Sequence, residues 1–305
     1  MSETLLKDGG RAAIGSTRPL RHGLITAGDI RKFCAAVDDT NPLYLDPAAA
    51  RAAGYADVIG PPMFAQSATR PVPFHANLLA DGQYDDLAPP GLGHLQSLLA
   101  GQSWEFLRPP VAGERVMEAV RIGSVEERSG RNGNMVFVAE EASLNDDAGD
   151  PIVRSVNTLL LRPHPTTKPA ASAQTAVAMP ATNPVTTVTA EGLIKKPSMV
   201  SLFMFCAAIW GVHRIHYDVA YAQSEGLPSA ILPGWMVSSF LTELATRRAG
   251  RDARVTKFSV RYLALAFAGD TLTCTASANG SELTLIATNQ SGVKVAEGVA
   301  QLTAC

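Results

Sequence analysis

Two short segments of the chain carry side chains that can exchange protons. Residues 39–46 read DTNPLYLD, and residues 213–218 read HRIHYD. The ordinary pKa of histidine lies close to neutral pH, so His216 and His213 are the natural acid–base candidates. The phenol of Tyr44 is not a base near neutral pH. We therefore predict that general acid–base chemistry is centred on the second segment.

The two segments belong to longer stretches that repeat each other. Residues 33–46 read FCAAVDDTNPLYLD, and residues 205–218 read FCAAIWGVHRIHYD. The same register continues downstream through a glycine, an isoleucine and a proline in both stretches. Two tandem copies of one unit are therefore predicted. The first copy has an acid and a phenol at the positions where the second has Gly211 and His216.

The composition of the chain narrows the classes of protein to which it can belong. Its 305 residues can form two ordinary domains, and 46% hydrophobic with 18% charged residues is typical of a globular protein. A net charge of −2 gives no general attraction to nucleic acid or to a membrane. Neither a membrane-spanning run nor a signal-peptide pattern is seen, which predicts a cytoplasmic protein. Without metal-ligand spacing or a nucleotide-binding glycine motif, we expect no cofactor and no metal.

Hydrophobic periodicity predicts the elements of the first unit. A helix is expected over residues 28–37, with Asp29 as its cap, and another helix begins at the two prolines within the apolar stretch 58–68. From residue 102 the period changes to two. This change predicts an antiparallel meander with strands near 104–108, 114–124, 134–145 and 152–162.

The second unit repeats this order of elements. We predict helices over 198–209 and 233–248, and strands near 254–263, 270–278, 282–288 and 293–302. Helices wrapped by antiparallel sheets make an α+β architecture. The predicted organisation is an N-terminal extension 1–22, a domain 23–163, a Pro/Ala/Thr-rich linker 164–187 and a domain 188–305.

Two further features have alternative interpretations. Residues 72–101, with His75 and His94, form a long insertion that is absent from the second unit. Such an insertion is either a lid or binding loop or a surface elaboration. The basic pair Lys195-Lys196 either meets a phosphorylated ligand or lies on a solvated face.

The two proton-exchanging segments also resemble a known family. Residues 39–46 are similar to the hydratase motif of MaoC-like hot-dog proteins, Asp-x-Asn-Pro-x-His-x-Asp. Residues 213–218 are similar to its second-domain version in two-domain acyl-thioester dehydratases, which resemble the dehydratase domain of fungal fatty-acid synthase. The downstream sequences FLRP at 106–109 and RYLALAFAGD at 261–270 agree with the family pattern. The resemblance covers both units.

This resemblance implies a tandem, or double, hot-dog fold in which two antiparallel sheets each wrap a long helix. It implies a hydro-lyase that adds water to a 2-enoyl thioester, or removes it from a 3-hydroxyacyl thioester, of CoA or an acyl carrier. In the family an Asp and a His five residues apart bracket one water molecule. Backbone N–H groups at the start of the hot-dog helix polarise the carbonyl. Since Pro233 has no N–H, Gly234 or Trp235 must supply that donor.

Neither copy holds the complete pair of family side chains. The first has Asp39 without the histidine, and the second has His216 without the acid, whose position is occupied by Gly211. We place catalysis in the second unit, with His216 as acid or base. His213 either replaces part of the missing acid or fixes its own loop. The candidates for substrate binding are Gly211, Asp39, Asn41, Tyr44 and Arg261.

Several of these side chains have a structural alternative. Asp39 and Asn41 can brace their own loop, while Asp46 and Asp218 can cap the short helices that follow them. Arg261 either lines the site of the second unit or is an ordinary arginine on a strand surface.

Three functions stay open on the sequence alone. The first is the hydro-lyase. The second is an enzyme repurposed for isomerisation, cyclisation or a bulky substrate, because Gly211 removes the acid and enlarges the pocket. The third is a catalytically silent subunit that binds substrate beside an active partner. We expect a monomer or a homodimer, because the tandem is already a pseudo-dimer.

Overall fold

The computed structural model describes residues 4–6, 8–84, 91–130, 133–164, 186–251 and 253–304. The helices are α1 (Asp8–Ala12), α2 (Ala27–Val37), α3 (Pro42–Leu45), α4 (Pro47–Ala52), α5 (Met199–Ile209), α6 (Val219–Ser224) and α7 (Gly234–Ala249). The strands of the first half are β1 (Arg21–Leu24), β2 (Gln96–Phe106), β3 (Arg115–Gly130), β4 (Gly133–Asp146) and β5 (Pro151–Arg162). Those of the second half are β6 (Thr187–Val188), β7 (Gly192–Lys195), β8 (Ala253–Tyr262), β9 (Leu272–Asn279), β10 (Glu282–Thr288) and β11 (Lys294–Ala304). Short 3₁₀ helices include Ala65–Thr69, His75–Asn77 and Arg214–His216.

The strands pair antiparallel in the order β1-β3-β4-β5-β2-β8-β11-β10-β9-β7-β6. Strands β2 and β8 join the two halves, with Gly101 opposite Arg261 and Glu105 opposite Lys257. Helix α7 packs against the strands of the second half. The predicted α+β double hot-dog fold is confirmed. The sheets of the two halves are joined, because the β2–β8 pairing makes one continuous sheet of eleven described strands.

The predicted strands all form, and so do the helices expected over 28–37, 198–209 and 233–248. Strand β2 begins earlier than expected, at Gln96, because its first half lacks a clear polar–apolar alternation. Strands β1, β6 and β7 are too short for periodicity to detect. The cap of α2 is Thr26 rather than Asp29: its hydroxyl accepts from the Asp29 N–H at 3.0 Å.

The repeated segments meet each other at the centre of the molecule. Helices α2 and α5 are neighbours, and the ring centroids of Phe33 and Phe205 lie 5.6 Å apart. Both helices end at a residue in the left-handed conformation, Asp38 with φ 56° and Trp210 with φ 50°. In each case the N–H of that residue bonds a carbonyl of the last turn. The repeat therefore gives the loops after both helices the same starting direction.

The two halves differ in the helix that follows the repeat. In the second half α7 has 16 residues, and its side chains from position 235 to 245 are buried. The long helix expected in the first half is wrong, because the apolar stretch forms only the 3₁₀ helix Ala65–Thr69. Pro71 follows directly, and a proline disfavours helical backbone in the residue before it. Arg70 is accordingly extended, with φ −60° and ψ 129°.

A buried ion pair connects elements of both halves. The ammonium nitrogen of Lys195 on β7 lies 2.5 Å from a carboxylate oxygen of Glu243 on α7, with side chains 3% and 2% exposed. Lys195 also donates to the Val37 carbonyl at the end of α2 and to the Thr186 hydroxyl, each at 2.7 Å. Lys195 therefore neither meets a phosphorylated ligand nor lies on a solvated face, and both interpretations are wrong for this residue. Burial is possible because Glu243 supplies the opposite charge.

The predicted domain boundaries fall partly outside the described residues. Most of the linker 164–187 lies there, and so do residues 131–132 between β3 and β4. The extension 1–22 is not a separate polar tail, because Leu6 and Ala13 are buried in a core cluster of the first half. Within the described residues, no helix is long and apolar enough to cross a membrane. No group of three potential metal ligands is found there either.

Replacing Lys195 by methionine tests the buried ion pair. We expect Lys195→Met to lower the free energy of unfolding by about 3 kcal/mol, because the buried Glu243 carboxylate loses one of its two cations and keeps Arg247 at 2.9 Å. The double variant Lys195→Met/Glu243→Gln removes that charge and should be more stable than Lys195→Met alone. Urea unfolding of the three proteins measures this. If the double variant is the least stable, the pair is not coupled as described.

Candidate active site

A cavity of ≈ 310 Å³ lies where the two halves meet. The second half lines it with residues 209–213 and 215–216 after α5, with residues 231–235 at the start of α7, and with Tyr262 at the end of β8. The first half lines it with Arg70, residues 82–84 and residues 97–99. A cavity of this size can enclose a small organic group.

His216 is held through one of its two ring nitrogens. Its Nδ1 lies 2.9 Å from the carbonyl oxygen of Ile231. A carbonyl only accepts hydrogen bonds, so Nδ1 carries the proton and Nε2 keeps a lone pair. Burial lowers the pKa of the His216 imidazole to about 4, and the bond to the Ile231 carbonyl acts in the opposite direction. At pH 7 the ring is therefore neutral, with Nε2 able to act as a base.

His213 stands beside His216, and a carboxylate from the first half lies next to it. The two imidazole centroids are 5.8 Å apart, with the ring planes at 86°. Nε2 of His213 lies 3.7 Å from a carboxylate oxygen of Asp81, whose carbonyl accepts from the Arg214 N–H at 2.8 Å. Burial lowers the pKa of His213 to about 3, together with the neighbouring His216 and against the effect of Asp81. Two neutral imidazoles thus line one side of the cavity.

The first turn of α7 presents backbone donors to the cavity. The residue before this helix is a proline, and the first N–H groups of a helix have no partner within it. The N–H groups of Gly234 and Trp235 therefore lie at the positive end of the helix dipole. A Cβ at Gly234 would lie 2.8 Å from the ring of Tyr262, so only glycine fits here. The Ile231 carbonyl lies three residues before Gly234, in the segment that leads into α7, which places His216 near these donors.

Gly211 lines the cavity directly after the end of α5. Its N–H bonds the Cys206 carbonyl at 2.7 Å, as the N–H of Asp39 bonds the Cys34 carbonyl at 3.0 Å in the first half. A Cβ at position 211 would meet side-chain atoms of Ile209 at 3.3 Å. Position 211 therefore supplies space to the cavity and no acid.

The predicted substrate-binding residues of the first copy lie away from this cavity. Asp39 and Tyr44 are buried, 5% and 4% exposed, and Tyr44 belongs to the core cluster that both halves share. One carboxylate oxygen of Asp39 accepts from the Asn41 N–H at 3.0 Å, and the Asn41 side chain caps α3. Burial, followed by the charge of Glu243, raises the pKa of Asp39 to about 6. The loop-bracing alternative is thus the correct one for Asp39 and Asn41.

The capping alternative is correct for the two aspartates that end the motifs. Asp46 accepts from the Ala48 N–H at 2.8 Å and begins α4. Asp218 accepts from the Tyr221 N–H at 3.0 Å and begins α6.

Arg261 is exposed and does not line the cavity. Successive side chains of a strand point to opposite faces, so the next residue, Tyr262, is the one that faces the cavity. Its hydroxyl donates to the side-chain oxygen of Gln102 at 2.7 Å and lies 2.6 Å from the hydroxyl of Ser238. The surface alternative is therefore correct for Arg261.

The residues that sequence reasoning missed come from the first half. They are Asp81 beside His213, Tyr84, whose hydroxyl donates to the Trp210 carbonyl at 2.9 Å, and Arg70 on the cavity wall. The sequence signal for Asp81 and Tyr84 was the length of the insertion 72–101. The insertion contacts the second half through its residues 80–84, as a binding loop would. His75 and His94 are exposed and take no part.

Two family models match the chain, one in each half. The model described as "FAS1-like, dehydratase domain region" matches residues 12–155, and the model described as "MaoC like domain" matches residues 180–299.

Three known proteins illustrate the similarity. The "UPF0336 protein" of Streptomyces avermitilis is 34% identical over 133 residues, which is 44% of this chain and 81% of that protein. Mesaconyl-C(4)-CoA hydratase of Chloroflexus aurantiacus is 26% identical over 275 residues, which is 83% of this chain and 91% of that protein. A solved Mycobacterium tuberculosis protein, described as having a double hot-dog fold, gives a TM-score of 0.61 at 14% identity. That superposition covers 95% of this chain and 96% of the other, and it shows the fold.

The buried histidines predict a loss of stability in mild acid. The pKa of His216 is about 4 in the folded protein against 6.5 for a free histidine, so the unfolded chain takes up the proton first. The contribution of the neutral imidazole to the free energy of unfolding is therefore fully present above pH 6.5 and is lost as the pH falls towards 4. Between pH 7 and pH 5, the free energy of unfolding should fall by about 2 kcal/mol less in His216→Asn than in the unchanged protein. Urea unfolding at both pH values measures this. His75→Asn, which replaces an exposed histidine, is the control; an equal loss in all three proteins would contradict the assignment.

Proposed function

The chain belongs to the MaoC-like double hot-dog dehydratase family, and on that premise we propose that it is a hydro-lyase acting on an acyl thioester. The reaction adds water across the 2,3 double bond of a 2-enoyl thioester, or removes it from a 3-hydroxyacyl thioester. The observation that carries the proposal is the 2.9 Å bond from His216 Nδ1 to the Ile231 carbonyl. It leaves a basic Nε2 next to the turn whose N–H groups can bind an oxyanion.

The chemistry is simplest in the hydration direction. His216 Nε2 takes a proton from water while the water oxygen bonds C3 of the substrate. The π electrons move towards the thioester carbonyl, and the N–H groups of Gly234 and Trp235 stabilise the enolate oxygen. The proton then passes from His216 to C2, which yields the 3-hydroxyacyl thioester and the neutral histidine. Dehydration follows the same steps in reverse.

We assign to His213 the task of holding the water, in place of the acid that Gly211 lacks. A neutral imidazole has one acceptor nitrogen, so it can accept a hydrogen bond from water as a carboxylate would. Asp81 acts as a positioning residue, because its carboxylate lies beside His213 and comes from the other half of the chain. The acid of the family motif is thus replaced by a histidine and a carboxylate that are distant in sequence.

Two points bear on the choice among functions. The basic Nε2 and the paired N–H donors favour an enzyme over a silent binding subunit. The Chloroflexus relative is by name a hydratase of mesaconyl-C(4)-CoA, which supports CoA as the thiol. The cytoplasmic location, the monomer or homodimer and the domain boundaries stay predictions from the sequence.

Replacing His216 tests the proposed base. We expect His216→Ala to lower kcat for hydration of an enoyl-CoA by on the order of 10²–10⁴, because general base catalysis contributes about that much. The loss of absorbance of the conjugated enoyl thioester measures the rate. His94→Ala is the control, since this histidine is exposed and outside the cavity.

The outcome separates the possible functions. Hydration that is unchanged in His216→Ala would remove this residue from the mechanism. Hydration absent from the unaltered protein, with carboxylate-bearing and neutral enoyl thioesters alike, would contradict the hydro-lyase.

A double-mutant cycle tests the pairing of Asp81 with His213. We expect His213→Ala to lower kcat by roughly 10–100-fold and Asp81→Asn by a smaller factor. If Asp81 acts through His213, adding Asp81→Asn to His213→Ala causes little further loss. Fully additive losses in kcat would show that the two residues act independently.

A further inference from the structure

The wall of the cavity that comes from the first half carries a partly buried cation, Arg70. It follows the 3₁₀ helix Ala65–Thr69, at the position where Pro71 ends helical structure. The guanidinium carbon lies 5.3 Å from the centroid of the Trp235 ring. Trp235 also offers one of the proposed oxyanion N–H groups, so Arg70 lies beside the place where the thioester is expected.

Arg70 lacks an anionic partner within the described residues. No carboxylate oxygen of those residues lies within 4.0 Å of its guanidinium group, and none of their oxygen atoms accepts a hydrogen bond from it. The ring of Trp235 is the cation–π contact of this guanidinium. Burial lowers the pKa of Arg70, while the carboxylates of Glu118 and Glu140 act in the opposite direction from beyond ion-pair distance.

The nearby carboxylates are engaged by other groups. Glu118 accepts from the Thr69 hydroxyl at 2.9 Å and lies 3.8 Å from a guanidinium nitrogen of Arg21. Glu140 pairs with Arg18. The five N–H donors of Arg70 are therefore available to a ligand in the cavity.

The neutral polar groups of the same wall satisfy each other. The side-chain oxygen of Gln102 accepts from the hydroxyls of Tyr262 and Ser238, and its nitrogen donates to Asn157 at 2.8 Å. The cavity of ≈ 310 Å³ suits a short acyl group better than a long alkyl chain. Of these wall groups, the guanidinium of Arg70 is the one without an acceptor in the described residues.

An arginine keeps its charge at neutral pH, and its N–H donors form stronger hydrogen bonds with an anion than with a neutral acceptor. A ligand that brings a carboxylate to this position therefore finds donors that no described residue uses. Building on the proposed function, we propose that the substrate is a short acyl thioester ending in a carboxylate, and that Arg70 binds that carboxylate. Arg70 is then a specificity residue, whereas His216 serves the reaction itself.

Two enoyl thioesters that differ in one group test this inference. Fumaryl-CoA ends in a carboxylate where crotonyl-CoA has a methyl group, and both carry the same trans double bond. We expect fumaryl-CoA to have the higher kcat/KM. In Arg70→Gln this value should fall by on the order of 10², whereas that for crotonyl-CoA changes by less than about threefold. Arg261→Gln, an exposed arginine outside the cavity, is the matched control and should change neither.

The phosphates of CoA are another possible anion for Arg70, and truncated substrates separate the two. N-acetylcysteamine thioesters of the same acyl groups have no phosphate. A selective loss that persists with fumaryl-N-acetylcysteamine assigns Arg70 to the acyl carboxylate. A loss that appears equally with crotonyl-CoA and vanishes with the truncated substrates assigns it to the carrier and overturns the inference.

Binding of unreactive analogues separates this inference from the reaction. Succinyl-CoA and butyryl-CoA differ in the same way and undergo no hydration. We expect succinyl-CoA to raise the Tm more than butyryl-CoA does, and Arg70→Gln to abolish the difference. Each shift is taken from the ligand-free Tm of the same variant. Equal shifts with both analogues in the unaltered protein would contradict the inference whether or not hydration is observed.

Discussion

The pairing of β2 with β8 is the constraint on which the rest of this molecule depends. It merges the sheets of both halves, so the helices must together cover one continuous surface. Helix α7 does this for the second half with a row of buried side chains. In the first half Pro71 ends the corresponding helix after a 3₁₀ turn. Arg70, directly after this 3₁₀ helix, lines the cavity at the place where a longer helix would continue.

Both duplicated units contribute residues to the proposed site. The second unit supplies the imidazoles and the start of α7, and its loop geometry follows from the left-handed helix end that both copies share. In the first unit Asp39 and Tyr44 are buried residues. That unit places Asp81 beside His213 and Arg70 on the cavity wall. In the proposed site His213 and Asp81 stand in for the acid that Gly211 lacks.

Two cations in this structure, Lys195 and Arg70, illustrate opposite uses of charge. Lys195 is buried, with a carboxylate of α7 at 2.5 Å and the carbonyl at the end of α2 as partners, which suits a group that holds the halves together. Arg70 has an aromatic ring at 5.3 Å and no carboxylate within ion-pair distance in the described chain. The Lys195–Glu243 pair is complete without a ligand, whereas the proposed anion for Arg70 is the carboxylate of the substrate.

The sequence by itself determined the duplication, the strand and helix order, the position of His216 and the absence of the motif acid at Gly211. These follow from local patterns: a repeat of residue types, a period of two or 3.6, and a motif within one loop. The tertiary structure alone decided that the first long helix is missing, that Lys195 is buried, and that Asp81 and Arg70 join the site. Each of these depends on contacts between residues far apart in the chain, for which one sequence carries no local signal. Arg261 and Tyr262 show this most directly. Which of these two neighbouring strand residues faces the cavity is set by packing and not by the residue types.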